Sequence, residues 1–351
     1  MALRNVAILL PAFLTWACSS APSAGFADDL TDAGPETAPI YLPPPAWSGG
    51  SPVLLAKNQE AVSLALDDAH VYWQGPGGSV FACPLGGCPD GRAAQLSSLV
   101  GPSSEALQTL GASGGDAVFL SDNGDALTIL AVGDPGRAST MYAAAADGGS
   151  LGLLVNDAAN VYFVAVNGVC APTQVLACPL GGPCASPVTL YESASTYIGQ
   201  LSVAGSEVFF VQSDEAGDYA IHAVSAHGGG ARKVCSLGTD YAGVVDMIVA
   251  GGFVYVTTSN NPTKITACAA SGSSNAWTYV EDLEPYALAT DGENLYWTNY
   301  QAEGNVVTCA LGKECTSPFT VASNQTSPFA IVANGSSVFW STQSSILRAD
   351  K

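Results

Sequence analysis

Three histidines, two short acidic loops and ten cysteines are the residues whose types and spacing could do chemistry. His70, His222 and His227 are scattered, and none stands in a His-Glu-x-x-His spacing. His70 precedes an aromatic run and reads as a residue at a turn or sheet edge. His227 precedes Gly228-Gly229-Gly230, but no Gly-Lys-Ser/Thr follows, so that run is a flexible turn and not a phosphate loop. Ser121-Asp122-Asn123-Gly124-Asp125 could present oxygens to Ca²⁺. It is shorter than an EF-hand loop and lacks the terminal Glu, so a solvated hairpin turn is the expectation. The same holds for Asp214 to Tyr219. Trp73, Trp297 and Trp340 match a sugar-binding set by type, yet each adjoins a repeated strand aromatic, which predicts packing instead. No resident metal or other cofactor is expected, and no Ser/His/Asp arrangement is evident.

The elements that must position these residues follow from composition and repetition. The chain has 351 residues, 48% of them apolar, enough for a large core. Acidic residues outnumber basic ones 30 to 10, giving a net charge of −20 that repels phosphate backbones and anionic lipid. Nucleic-acid binding is thereby disfavoured. Neutral or cationic partners are favoured over anionic ones, and solubility alone is the simpler reading of the charge.

Residues 1–17 read as an export signal: Arg4 lies in a short polar start, and an apolar stretch runs from Val6 to Ala17. Cys18 after Ala17 is similar to the cysteine of bacterial lipoprotein signals. That likeness implies lipidation of Cys18 and an outer-membrane lipoprotein; simple cleavage and secretion is the alternative. A lipid anchor would then be the sole membrane contact. Residues 18–50 are rich in Ala, Pro, Gly and Asp without periodicity, and read as a disordered tether. As a coil such a segment reaches roughly 30 Å.

Residues 51–351 carry a recurring strand pair. The second strand reads Val71-Tyr72-Trp73, Val118-Phe119-Leu120, Val161-Tyr162-Phe163, Val208-Phe209-Phe210, Val254-Tyr255-Val256, Leu295-Tyr296-Trp297 and Val338-Phe339-Trp340. Its central aromatics are 47, 43, 47, 46, 41 and 43 residues apart. Each is preceded by an Asp/Asn/Gly turn that tolerates positive φ. A period near 45 residues with four short strands per unit predicts an all-β, seven-bladed β-propeller with four antiparallel strands per blade. The last unit ends at Lys351 and lacks its fourth strand. Fourth strands begin Ser186-Pro187-Val188 and Ser317-Pro318-Phe319, and Ser51-Pro52-Val53 at the other end repeats that start. Even the flanks agree, Lys57-Asn58-Gln59 against Ser323-Asn324-Gln325. The last blade is therefore expected to be closed by the N-terminal strand at 51–57, docked beside Ile346–Ala349.

Leu295-Tyr296-Trp297-Thr298-Asn299, Tyr72-Trp73, Phe339-Trp340-Ser341-Thr342 and Phe119-Leu120-Ser121-Asp122 resemble the YWTD repeats of low-density-lipoprotein-receptor propellers. The resemblance implies a propeller and an extracellular setting. It transfers no ligand: the motif Asp survives only at Asp122, with Asn299 nearest to it, and the receptor propellers have six blades.

Cysteines in an exported chain read as disulfides. Cys83 with Cys88, Cys178 with Cys184, and Cys309 with Cys315 recur at the turn between third and fourth strands. These pairs lie on separate blades, which disfavours a shared metal site. Cys268 occupies the first-cysteine position without a local partner; Cys235 on the preceding blade could reach it, leaving Cys170 over.

Loops between second and third strands should gather on one face around the channel. They carry Asp122, Asp125, Asp214, Asp218, Tyr219, Asn260, Asn261 and Tyr300 as binding candidates. The expectation is a monomeric, non-catalytic binding or scaffold module for a protein or glycan. The alternative is a metal-dependent lactonase- or lyase-like propeller with its site at the channel mouth.

Overall fold

The computed structural model describes residues 49–351 apart from 76–77, 98–108, 121–124, 132–137, 145–148, 167–171, 194–197, 214–216, 240–242, 260–263, 273–274 and 283. The export signal, Cys18, most of the tether, Cys170, Asp122, Asp214, Asn260 and Asn261 therefore lie outside the described residues.

Alternation of apolar and polar residues between Asp, Asn and Gly turns folds the repeats into seven antiparallel sheets of four strands. Six sheets take their strands in sequence order, blade 1 beginning at Ser63 and blade 6 ending at Gln325. The seventh takes Ile331–Ala333, Ser337–Ser341 and Ser345–Asp350, and its fourth strand is Val53–Lys57. Val53 lies opposite Arg348 and Lys57 opposite Ser345, antiparallel. The N-terminal strand thus closes the ring, as the repeated Ser-Pro-Val start predicts. Among the described residues no helix is long and apolar enough to cross a membrane.

The innermost strands are Ser63–Leu66, Leu110–Ser113, Ser150–Asn156, Ile198–Ala204, Val244–Ala250, Pro285–Thr290 and Ile331–Ala333. The second strands are buried on both faces, so they read as unbroken apolar runs rather than alternating ones. Successive side chains of a strand point to opposite faces. In blade 1, Val71 and Trp73 enter the core shared with blade 7, while Tyr72 enters the core shared with blade 2. Seven such cores fill the seven junctions. Trp73, Trp297 and Trp340 are each 0% exposed, which makes them packing residues and not a sugar platform.

Three of the turns before second strands share one mechanism. Asp67 Oδ1 accepts the N–H groups of Ala69 and His70, and its Oδ2 accepts the Tyr72 hydroxyl at 2.7 Å. Asp157 with Tyr162 and Asp291 with Tyr296 repeat the arrangement, each hydroxyl at 2.8 Å. Burial pushes the Asp67 and Asp157 carboxyls up, but these donors outweigh it and hold both below the ordinary value. Burial, then the Asp157 carboxylate, pushes the Tyr162 hydroxyl up to about 12.

Outer strands begin after proline at Val53, Val188 and Phe319. Pro52, Pro187 and Pro318 put a residue without an N–H beside these exposed edges, which discourages sheet-to-sheet association.

Candidate functional site

The hydroxyl that follows the strand aromatics joins neighbouring blades. Thr298 Oγ1 accepts the Ala287 N–H of its own blade and donates to the Phe329 carbonyl of the next at 2.9 Å. Ser341 does the same with the Ala330 N–H and the Ala61 carbonyl. Thr257 Oγ1 donates to the Tyr286 carbonyl at 2.5 Å. The indole of each second-strand Trp is also tied to the end of the blade before it: Trp73 to Gln59, Trp340 to Gln325 and Trp297 to Asp282. The agreement between Gln59 and Gln325 in sequence is therefore an agreement of role.

An axial cavity of ≈450 Å³ is lined by the innermost strands of all seven blades. Its wall is aliphatic or small except for Asn156, Ser202 and Asp246. All three serve the frame. The Asn156 amide accepts the Ala112 N–H and donates to the Ala112 carbonyl, replacing a ladder pair between blades 3 and 2. Ser202 Oγ accepts the Val249 N–H at 3.1 Å. Asp246, buried, accepts the N–H of Met247 on Oδ1 and that of Leu288 in the next blade on Oδ2, both at 2.8 Å. Sequence reasoning did not single out these residues, because nothing local distinguishes them from surface polar groups.

His222 lies opposite Lys233 in the blade 4 ladder and stacks on Phe210 at 5.7 Å. Burial, then the Lys233 charge, pushes it down to about 4, so it is neutral at physiological pH. The stretches Gly111-Ala112-Ser113-Gly114-Gly115 and Gly148-Gly149-Ser150-Leu151-Gly152 both spell Gly-x-Ser-x-Gly. Ser113 ends one strand of a hairpin and Ser150 begins another, so neither has the strand-to-helix turn of a nucleophile elbow. Among the described residues, no group of three or more His, Cys, Asp or Glu is arranged to hold a metal ion.

Among the described residues four disulfides are formed. Cys83–Cys88, Cys178–Cys184 and Cys309–Cys315 each close a turn within one blade, and Cys235–Cys268 ties blade 4 to blade 5. They point to an oxidising, extracytoplasmic environment.

The binding candidates that are described lie on three blades, 2, 4 and 6. Asp125 stands before the third strand of blade 2, and Asp218 and Tyr219 stand at the corresponding place in blade 4. Asp125 and Asp218 are exposed, whereas Tyr219 is partly buried against the blade 4–blade 5 core. Tyr300 follows the second strand of blade 6 and is 38% exposed. Its ring lies 5.1 Å from Tyr286 and 5.7 Å from Phe329, which are themselves 4.8 Å apart. The partners of Tyr300 were visible in the repeat as Pro285-Tyr286-Ala287 and Pro328-Phe329-Ala330, matching approaches to consecutive inner strands. The Tyr300 N–H donates to the Glu284 carbonyl at 3.0 Å, pinning the corner. Gly304 ends it: a Cβ there would lie 2.1 Å from the Asn299 carbonyl oxygen.

No family model matches the sequence, and no curated protein matches it. Solved structures do. A puromycin-hydrolyzing peptidase of Mycobacterium tuberculosis is 14% identical with a TM-score of 0.58, over 87% of this chain and 55% of that one. YCF48 bound to D1 peptide is 12% identical with a TM-score of 0.59, over 86% and 96%. BamB from Moraxella catarrhalis is 12% identical with a TM-score of 0.50, over 84% and 83%. The chain spans about half the length of the peptidases it matches. At these identities the likeness is one of fold, and the fold is a seven-bladed β-propeller.

Proposed function

We propose that the protein is an exported, non-catalytic binding or scaffold module. In this reading Cys18 carries a lipid that holds it at the outer membrane, the segment after Cys18 spaces the propeller from the surface, and the second-to-third-strand loops meet a protein or glycan. The observation that carries the reading is the use made of the channel's polar groups. Asn156, Ser202 and Asp246 each bond backbone of an adjacent blade, and the rest of the wall is aliphatic or small. A catalytic channel needs polar groups held ready for substrate rather than for the frame. Exposed side chains such as Asp125, Asp218 and Tyr300 stand on the loop face.

The test is capture of envelope proteins and glycans by the purified protein. Asp125→Lys with Asp218→Lys and Tyr300→Ala should abolish capture, while Asp68→Lys, in a first-to-second-strand turn on the opposite face, should not. Equal loss in both variants would overturn the choice of face. Turnover of lactone or ester substrates, or a stoichiometric divalent cation retained after dialysis, would overturn the non-catalytic reading.

A further inference from the structure

We infer that the corner of the loop face between blades 6 and 7 docks a cationic, lysine- or arginine-bearing segment of a protein partner, with Tyr300 as the platform. This rests on the binding reading above and names the chemistry of its partner.

Among the described residues the other exposed large hydrophobics, Val53, Leu54, Val188 and Phe319, lie on outer edge strands; Tyr300 stands on the loop face. Its ring is held by Tyr286 and Phe329, and its backbone by Glu284. The neighbouring loop is pinned to it, the Ser327 N–H donating to the Gln301 carbonyl at 3.0 Å. A ring ordered in advance loses little freedom when a partner covers it.

Within the three segments that form this corner the charge has one sign. Segments 281–286, 299–304 and 325–330 contain Glu281, Asp282, Glu284 and Glu303, and no Lys, Arg or His. Glu281 lies opposite Lys264 in the blade 5 ladder, and Asp282 Oδ2 accepts the Trp297 indole and the Asn299 amide. Glu284 and Glu303 are exposed. Asn299 Oδ1 is a buried acceptor with no donor among the described residues. An aromatic face attracts a cation through its quadrupole, and Glu284 and Glu303, exposed on the segments that meet at this corner, add negative charge to it. The net charge of −20 draws a basic segment in from a distance. An acidic partner would be repelled by the same groups, and a neutral glycan would use the ring but not the carboxylates.

The probe is a fluorescein-labelled Lys-Gly repeat peptide, titrated by anisotropy against the full chain. A Glu-Gly repeat and a neutral oligosaccharide are the comparison ligands. The wild type should bind the lysine peptide in preference to both, and less tightly as salt rises. Tyr300→Ala should weaken binding at least fivefold, as should Glu284→Gln with Glu303→Gln. Tyr300→Phe should retain it, and Asp68→Asn on the opposite face should leave it unchanged. Unaltered circular dichroism and melting separate lost docking from lost folding. Failure of the wild type to bind the lysine peptide, equal binding by Tyr300→Ala, or an equal loss in Asp68→Asn would each overturn the site. Those results would leave the loop-face reading to its own capture test. Loss of that test with lysine-peptide binding intact would do the reverse.

Discussion

Ser341 Oγ donates to the Ala61 carbonyl at 3.1 Å, joining blade 7 to blade 1 across 280 positions of sequence. The same oxygen accepts the Ala330 N–H, and both contacts are buried. Ser341→Ala should therefore strand a carbonyl and an N–H, costing roughly 1–3 kcal/mol. Denaturant unfolding should show a lower midpoint at unchanged slope. A midpoint equal to wild type would show that this bond does not help close the ring.

Closure by strand exchange makes a stronger prediction. A chain beginning at residue 58 loses Val53–Lys57, and with it Leu55 and Ala56 from the blade 7–blade 1 core. Ser345–Asp350 then becomes an unprotected edge. Such a chain should melt well below the full chain and aggregate. A soluble, monomeric product with the wild-type melting temperature would contradict the closure.

Asp291 is the acid-sensitive turn. Burial pushes its carboxyl up, but donors outweigh that: the Lys351 ammonium, the N–H groups of Asn294 and Glu293, and the Tyr296 hydroxyl hold it at about 2. The folded state thus binds this proton less readily than the unfolded chain, whose value is 3.8. The stabilisation is complete above about pH 4 and vanishes as pH falls through 2, and it amounts to about 2 kcal/mol. Asp291→Asn should be less stable than wild type by about that much at pH 7, with the gap closing near pH 2. A gap that is constant with pH would refute the assignment.

The disulfides should not contribute equally. Cys235–Cys268 spans 33 residues and crosses a blade junction, whereas Cys83–Cys88 spans 5 within one turn. The loop-entropy relation assigns about 3.7 kcal/mol to the long loop and about 2 kcal/mol to the short one. Replacing Cys235 and Cys268 by Ser should lower the melting temperature more than replacing Cys83 and Cys88. The opposite order would show that strain or residual unfolded structure outweighs loop closure.

Gly304 is required by close approach rather than by a left-handed backbone. A Cβ would lie 2.1 Å from the Asn299 oxygen and 2.7 Å from Pro328 Cδ. Gly304→Ala should cost more than about 2 kcal/mol and disturb the Tyr300 corner. Near-ultraviolet dichroism of the tyrosines would register that disturbance, and a spectrum and stability matching wild type would count against it.

Sequence alone determined the blade number, the closing strand, the turns and three local disulfides. These depend on short-range physics: the two-residue period of a strand, the positive φ that Asp, Asn and Gly permit, and cysteines five or six residues apart. Even closure was legible, since Ser51-Pro52-Val53 repeats the start of the other outer strands. What the tertiary structure decided is the meeting of side chains from different blades. Asp246 reads as any acidic residue until Leu288 presents its N–H across the junction, and Asn156 reads as a turn residue until Ala112 lies beside it. Tyr286, Tyr300 and Phe329 become one cluster by the same route. Which residues face each other there depends on ladder irregularities, such as those at Gly152/Leu154 and Gly199/Leu201, and on how blades pack around the axis. No local pattern encodes that geometry, because it arises from long-range packing of seven sheets into a closed ring.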